Sequence, residues 1–295
     1  MGELREFTGR RGLREIERVG SGLEFTVFRA LTPAGDPVVL RTPNGDRYQS
    51  NANDPLVDTR ALLTWEHRIT GWLTERGVPV ARPLELALAD NGPDVLVSAY
   101  VPDDGGPVDP GRLGALLAAL HRLDATGLTP VAAGGGPASA VVVGRLVRRW
   151  ATAATLADLP APPPPNTLAG LLTGRPTGSL LHLDVRRPNL RCAGGAVSAL
   201  LDWSNALVGD PLLELGRLVE FAWLPDNGLD LSALRDGYRA AGGHWPEDEP
   251  ALLVHQLDAA VMLVLVFVSE SPDPTAGRHA VDRLTQLHGE LVSRT

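Results

Sequence analysis

Between positions 179 and 212 the chain reads SLLHLDVRRPNLRCAGGAVSALLDWSNALVGDPL, and four polar residues there stand on or beside short apolar strands. They are His182, Asp184, Asn189 and Asp202. A charge in such surroundings needs a partner or a task. Four residues separate Asp184 from Asn189, and Asp202 follows after a hairpin marked by Gly194 and Gly195. A carboxylate, an amide oxygen and a second carboxylate in that order suit two jobs: positioning a hydroxyl and holding magnesium against nucleotide phosphates, since magnesium takes hard oxygen ligands. A buried polar network stapling the hairpin, with Asp202 as a cap, would explain any one of these residues alone. The joint pattern of His-x-Asp, four spacers, Asn, and a strand ending in Asp-Trp favours chemistry.

Two zones must position these residues. From about 14 to 101 the pattern is mostly strand-like: EFTVFRAL (24–31) and PVVLRT (37–42) flank the turn signal TPAGD, and DVLVSAYV (94–101) follows DNGP (90–93). One amphipathic helix is expected at 58–76, with Leu62, Glu66, Ile69 and Leu73 at helical spacing. Past 102 the pattern turns helical, over 110–124, 140–156, 165–173, 209–222, 230–241, 249–269 and 276–293, interrupted by strands at 179–185 and 196–204. DLPAPPPPN (158–166) reads as a polyproline-like connector. The expectation is an α+β protein with a small, β-rich N-terminal lobe over 1–101 and a larger helical lobe over 102–295.

Composition narrows the choices. Of 295 residues, 27 are basic and 35 acidic, giving a net charge of −8, and every basic residue is arginine. Drift toward GC-rich codons accounts for the missing lysine, yet any role that needs a lysine must fall to another residue. The acidic balance argues against non-specific nucleic-acid binding, which calls for a basic stripe. Hydrophobic residues at 44% and charged residues at 21% fit a globular chain and exclude a fibrous one. Cys192 is the only cysteine, so an internal disulfide and a cysteine zinc cluster are both excluded, and a reducing cytoplasm is the expected home. Residues 1–20 hold no apolar stretch of the signal-peptide kind. AAVMLVLVFV (259–268) is too short to span a bilayer and reads as a buried core helix, so no membrane partner is expected.

HLDVRRPN (182–189), LLDWSNALVGDP (200–211) and LLAALHRL (116–123) together resemble the aminoglycoside phosphotransferases and their choline-kinase-like relatives, which share the bilobal protein-kinase fold. The resemblance covers most of the chain, and it implies that 1–101 is the nucleotide-binding lobe and 102–295 the catalytic and substrate-binding lobe. It implies transfer of a phosphoryl group from ATP or GTP to a hydroxyl, with Mg2+ as cofactor. By the same resemblance Asp184 is the base that orients the acceptor hydroxyl, Asn189 and Asp202 hold the magnesium, and His182 supports the catalytic loop. The sequence departs from the family in having Leu183 where Gly is usual between His and Asp, and Arg186 where a His is frequent. Arg186 places a fixed positive charge near the transferring phosphoryl; pairing of Arg186 and Arg187 with nearby acids is the other reading.

In the first zone, Gly20-x-Gly22 with Val27 has the spacing of a glycine-rich loop, but Phe25 stands where a third glycine would be. The strand expected to carry a phosphate-binding lysine offers Arg41. Glu66, in the middle of an apolar helix face, is costly without a partner, and Arg41 is the natural one. A guanidinium can clamp phosphate oxygens but is no compact point charge. By the same resemblance the nucleotide base is expected at main-chain groups of about Ser98 to Val101, with Tyr100 available to pack on the ring. The resemblance also implies an acid-lined cleft where the acceptor is a polycationic aminoglycoside, for which Asp210, Glu214, Glu220, Glu247, Asp248 and Glu249 are candidates, although a charge run is more usually a solvated face. The function expected is a kinase for a small-molecule hydroxyl or for a Ser or Thr of a biosynthetic peptide. The alternative is a weakly catalytic, kinase-like scaffold that binds nucleotide or a partner protein such as a lyase.

Overall fold

The computed structural model describes residues 2–89, 92–134, 136–225 and 227–295; Asp90 and Asn91 of the expected turn lie outside the described residues. In chain order the elements are α1 (Gly2–Arg10), β1 (Arg14–Ser21), β2 (Phe25–Leu31), β3 (Pro37–Pro43), β4 (Tyr48–Gln49), β5 (Val57–Asp58), α2 (Thr59–Thr74), β6 (Pro83–Ala87), β7 (Val95–Ala99) and α3 (Pro110–His121). There follow α4 (Ala138–Ala153), α5 (Pro165–Leu171), β8 (Ser179–Leu181), β9 (Leu190–Ala193), β10 (Ala196–Leu200), β11 (Leu207–Gly209), α6 (Pro211–Phe221), α7 (Leu231–Ala240), α8 (Pro250–Leu265) and α9 (Pro274–Val292).

The chain forms two compact units. The first holds the segments up to Ser50, Leu56–Pro107 and Leu190–Ser204. Its main sheet is antiparallel, in the order β1-β2-β3-β7-β6. The β2–β3 register pairs Val27 with Arg41 and Phe28 with Leu40, and the turn closes through Gly35, whose φ of 94° favours glycine. Successive side chains point to opposite faces. One face therefore gathers Phe28, Ala30, Val38, Leu40, Val95 and Val97, and α1 covers it with Leu4 and Phe7. The other face carries Phe25 and Leu96 against Leu63 of α2. Arg41 also points to that second face, opposite Leu96 in the register.

Asp58 caps α2 by accepting from the Ala61 N–H, and Gly77 at φ 71° closes its end. The β9–β10 hairpin joins this unit through side chain and main chain alike. Trp65 Nε1 donates to the Trp203 carbonyl at 3.0 Å, the Leu200 N–H to the Pro79 carbonyl at 2.8 Å, and the Gly194 N–H to Asp104 at 2.7 Å. Asp202 thus belongs structurally to the unit built mainly from the N-terminal third of the chain.

The second unit contains Asn51–Pro55, Val108–Asn189 and the chain from Asn205 onward. Here α3 and α7 cross so closely that a Cβ on Gly114 would lie 2.1 Å from the Leu234 carbonyl oxygen. The α8 helix runs on through a π-helical turn at Val266–Glu270. Together they span 21 residues, within which a window of 18 has a mean hydropathy of 2.2, long and apolar enough to cross a membrane by length and composition, yet 78% of that window is buried inside the protein. Asp258 on α8 is wholly buried. Burial alone would raise its carboxyl, but Arg145, with Arg149 and Arg217, holds it at about 2.

Candidate active site

Two clusters of the expected residues form, one in each unit. In the first, Arg41 Nη1 donates to Glu66 Oε2 at 2.5 Å and to Asp202 Oδ1 at 3.1 Å. Its Nη2 donates to Asp202 Oδ1 and to Ser204 Oγ, both at 3.0 Å. Ser204 Oγ in turn donates to Asp202 Oδ1 at 2.7 Å. The Phe25 ring lies 4.3 Å from the guanidinium carbon, a cation–π contact. Two carboxylates share one guanidinium, so the cluster carries surplus negative charge. Burial, aided by Asp202 and opposed by Arg41, pushes Glu66 up to about 7. Asp202 itself sits at φ 62°, a left-handed conformation unusual for a residue with a side chain.

Gly20 and Gly22 flank the end of β1. Neither has a positive φ, and a Cβ on either would meet nothing closer than 3.8 Å, so the backbone itself does not demand glycine there. The loop is closed instead by the Gly22 N–H on the Phe25 carbonyl and by Asn44, whose Nδ2 donates to the Gly22 and Leu23 carbonyls. Ser98 lies within the sheet opposite Val39 and Pro83. The Tyr100 N–H donates to the Pro37 carbonyl at 3.3 Å, Arg29 sits 5.2 Å from its ring centroid, and Val101 is half-buried. Part of the main chain expected to meet a nucleotide base is therefore already spent on the sheet, and one candidate partner of the Tyr100 ring is an arginine of the protein itself.

In the second unit the loop after β8 brings Asp184, Arg186 and Asn189 together. Asp184 Oδ1 accepts from Arg186 Nε at 3.0 Å, and its Oδ2 from Asn189 Nδ2 at 2.7 Å. The same Nδ2 donates to the Asp184 carbonyl at 2.9 Å. Committing the amide nitrogen this way presents the Asn189 carbonyl oxygen as a hard donor. His182 is fully buried, and its Nδ1 accepts the Asp184 N–H at 3.1 Å. Leu183, where glycine would be at ease, adopts φ 64°.

That strained residue is held from behind by two side chains for which no role in the loop was expected. Glu214 accepts the N–H groups of His182 at 2.6 Å and Leu183 at 2.8 Å, and Arg217 Nη1 donates to the Leu183 carbonyl at 2.6 Å. Both lie on the buried face of α6. A signal existed in the sequence: an acid and a base three apart within LLELGRL are too costly to bury unless they have buried partners.

The acids considered for a polycationic acceptor prove to be engaged within the protein. Asp210 caps α6 and pairs with Arg175, which also reaches Glu249. Glu220 pairs with Arg283 and Gln256, Glu247 with Arg239, and Asp248 with Arg294. Among the described residues, no cluster of three or more His, Cys, Asp or Glu side chains forms a metal centre. Magnesium does not require one, because it is bound through one or two carboxylates together with substrate phosphates.

A polar loop braced on a buried helix in one unit and an Arg–Glu pair on the sheet of the other fit a phosphotransferase of protein-kinase-like fold. Residues 15–255 match the phosphotransferase enzyme family (APH), and the chain belongs to that family. Among solved structures, it is similar to a thermostable mutant of aminoglycoside phosphotransferase APH(4)-Ia in ternary complex with AMP-PNP and hygromycin B, at 15% identity, with 98% of each chain covered and a TM-score of 0.64. It is also similar to the aminoglycoside-3'-phosphotransferase of type VIII, at 22% identity, with 87% of this chain and 97% of the other covered and a TM-score of 0.59. The macrolide 2'-phosphotransferase MphH of Brachybacterium faecium gives 21% identity, 95% and 96% coverage, and a TM-score of 0.54. At these identities the likeness concerns the fold. A comparison with curated protein sequences gives no match.

Proposed function

We propose that the protein transfers the γ-phosphoryl group of ATP or GTP to a hydroxyl of a small molecule, or to a Ser or Thr of a biosynthetic peptide. The observation that carries this reading is the Asp184 carboxylate, fixed at both oxygens by Arg186 and Asn189 within a loop anchored on Glu214. The nucleotide complexes of similar folds support an ATP-type donor. The acceptor O–H gives its proton to Asp184 as its oxygen bonds to the γ-phosphorus, and the bond from that phosphorus to the bridging oxygen breaks, leaving the diphosphate. Asn189 of the second unit and Asp202 of the first are the residues that would hold Mg2+, and its charge would offset that of the nucleotide phosphates. Arg186 stands beside the base as a fixed cation.

The pairing of Asp210, Glu220, Glu247, Asp248 and Glu249 with arginines of the protein weakens the case for a polycationic acceptor. The test is Mg2+-dependent ATP consumption across polycationic and uncharged hydroxyl acceptors, with Asp184→Asn as control. Nucleotide binding without turnover on any acceptor would sink the proposal and leave the scaffold reading.

A further inference from the structure

Arg41 offers a donor count that decides what it can do. A guanidinium has five N–H groups: two on each Nη and one on Nε. Four are committed, to Glu66, twice to Asp202, and to Ser204. The fifth, on Nε, is buried from solvent and has no partner among the described residues. The Phe25 ring covers the guanidinium at 4.3 Å. The side chain is 13% exposed. A phosphate approaching Arg41 thus finds no open N–H fork, and would have to break bonds to a carboxylate that already receives charge-assisted donors.

Asp202 tells the complementary half. Its Oδ1 accepts both Nη groups and the Ser204 hydroxyl, which fixes the carboxylate's rotation about its own axis. Its backbone is held at φ 62°. A residue in that conformation is aimed by its surroundings rather than by its own preference.

We infer that Arg41 acts on Asp202 rather than on the nucleotide phosphates: together with Ser204 it is a positioning residue that sets the orientation of the Asp202 carboxylate toward a divalent cation. The inference rests on the phosphotransferase reading, in which Asp202 is a magnesium ligand. It reverses the role that an arginine on β3 suggests from sequence, where its fork was available for phosphate oxygens. The Glu66 pair then serves to fix Arg41, and Phe25, standing where a glycine was expected, supplies the flat surface on which a planar cation rests.

The experiment measures ADP affinity by calorimetry with Mg2+ and again in EDTA, for the wild type, Arg41→Ala, Arg41→Lys and Ser204→Ala. Metal-free affinity is expected to stay within about twofold in every variant. The gain in affinity on adding Mg2+ is expected to fall about tenfold or more in Arg41→Ala, the equivalent of about 1.4 kcal/mol. Lysine should restore it only in part, because a single ammonium cannot bridge Glu66, Asp202 and Ser204 as a fork does. Ser204→Ala, which leaves the Arg41–Glu66 pair in place, should lose a smaller part and guards against a misfolded Arg41 variant. Bound Mn2+, followed by its paramagnetic resonance signal, should weaken in the same order.

An equal fall of metal-free and metal-dependent affinity would show that Arg41 touches phosphate and would overturn the inference. So would unchanged Mg2+ dependence in Arg41→Ala and Ser204→Ala. A wild type whose nucleotide affinity ignores Mg2+ speaks instead against the phosphotransferase reading, so the two failures are distinguishable.

Discussion

The loop at 182–189 and the turn at 201–204 each force a side-chain-bearing residue into the left-handed region, Leu183 at φ 64° and Asp202 at φ 62°. They are braced in opposite ways. Leu183 is held through its backbone: Glu214 takes its N–H and Arg217 its carbonyl, both from a helix behind the loop. Asp202 is held through its side chain, by Arg41 and Ser204. The brace at Leu183 uses neither oxygen of the neighbouring Asp184, which accept from Arg186 and Asn189 instead, whereas the brace at Asp202 falls on that acid's own Oδ1. Under the function proposed above, the first arrangement suits an acid that accepts a proton and the second an acid that keeps a fixed orientation.

The largest effect is expected at Asp184. Asp184→Asn should lower kcat by about 100-fold or more, in the range general-base removal produces, with the melting temperature nearly unchanged; steady-state kinetics and a thermal melt check both parts. Next comes the bracing itself. Glu214→Ala strands two buried N–H groups and should cost about 3 kcal/mol or more, seen in urea denaturation, with a melting temperature lower by roughly 5–10 °C. An unchanged midpoint would mean the loop holds itself, and the contrast between the two loops would collapse.

Two pH effects of opposite sign distinguish the units further. Burial lowers His255 in the second unit to about 4, against Asp210 and Asp258, which pull it up. The unfolded chain takes up that proton below about 6.5, the folded one only near 4. Stability from this group is thus complete above pH 6.5 and lost as pH falls toward 4, by on the order of 3 kcal/mol. His255→Gln should flatten that limb of the stability profile. Glu66 in the first unit behaves in reverse, because its folded value of about 7 lies above the ordinary 4.5. Its contribution is present below pH 4.5 and lost as pH rises through 7. Glu66→Gln should flatten this limb, by a smaller amount than at His255, since the Glu66 side chain stays 12% open to water. Denaturation midpoints collected between pH 4 and 8 test both.

Much of the fold was legible where the pattern is local. Short β-branched and aromatic runs between turn signals gave β2, β3 and β7, and helical patterning gave α2 and the helices of the second unit to within a few residues. The α1 helix was not legible, because it has only Leu4 and Phe7 as buried apolar anchors and owes its helicity to packing on the sheet. Strands β9 and β11 are three or four residues long, and β11 pairs with β8 across an intervening hairpin, which no local period encodes. At the site, Glu66 on an apolar face led to Arg41, and that pair is present. The reach of Arg41 to Asp202, 161 positions away, was not legible, since it depends on a tertiary arrangement that brings the hairpin to the sheet. Local readings therefore suggested a phosphate clamp where the structure shows a saturated fork.

The guanidinium at position 41 also has a practical consequence. Reagents that find nucleotide sites by acylating a side-chain amine require an unprotonated nitrogen, and this protein has no lysine to supply one. Its pairing with Asp202 and Glu66 holds Arg41 protonated at any working pH. Amine-directed activity probes will therefore pass over this enzyme in a cell extract even when it is fully active, so a missing signal in such a survey says nothing about whether it binds nucleotide.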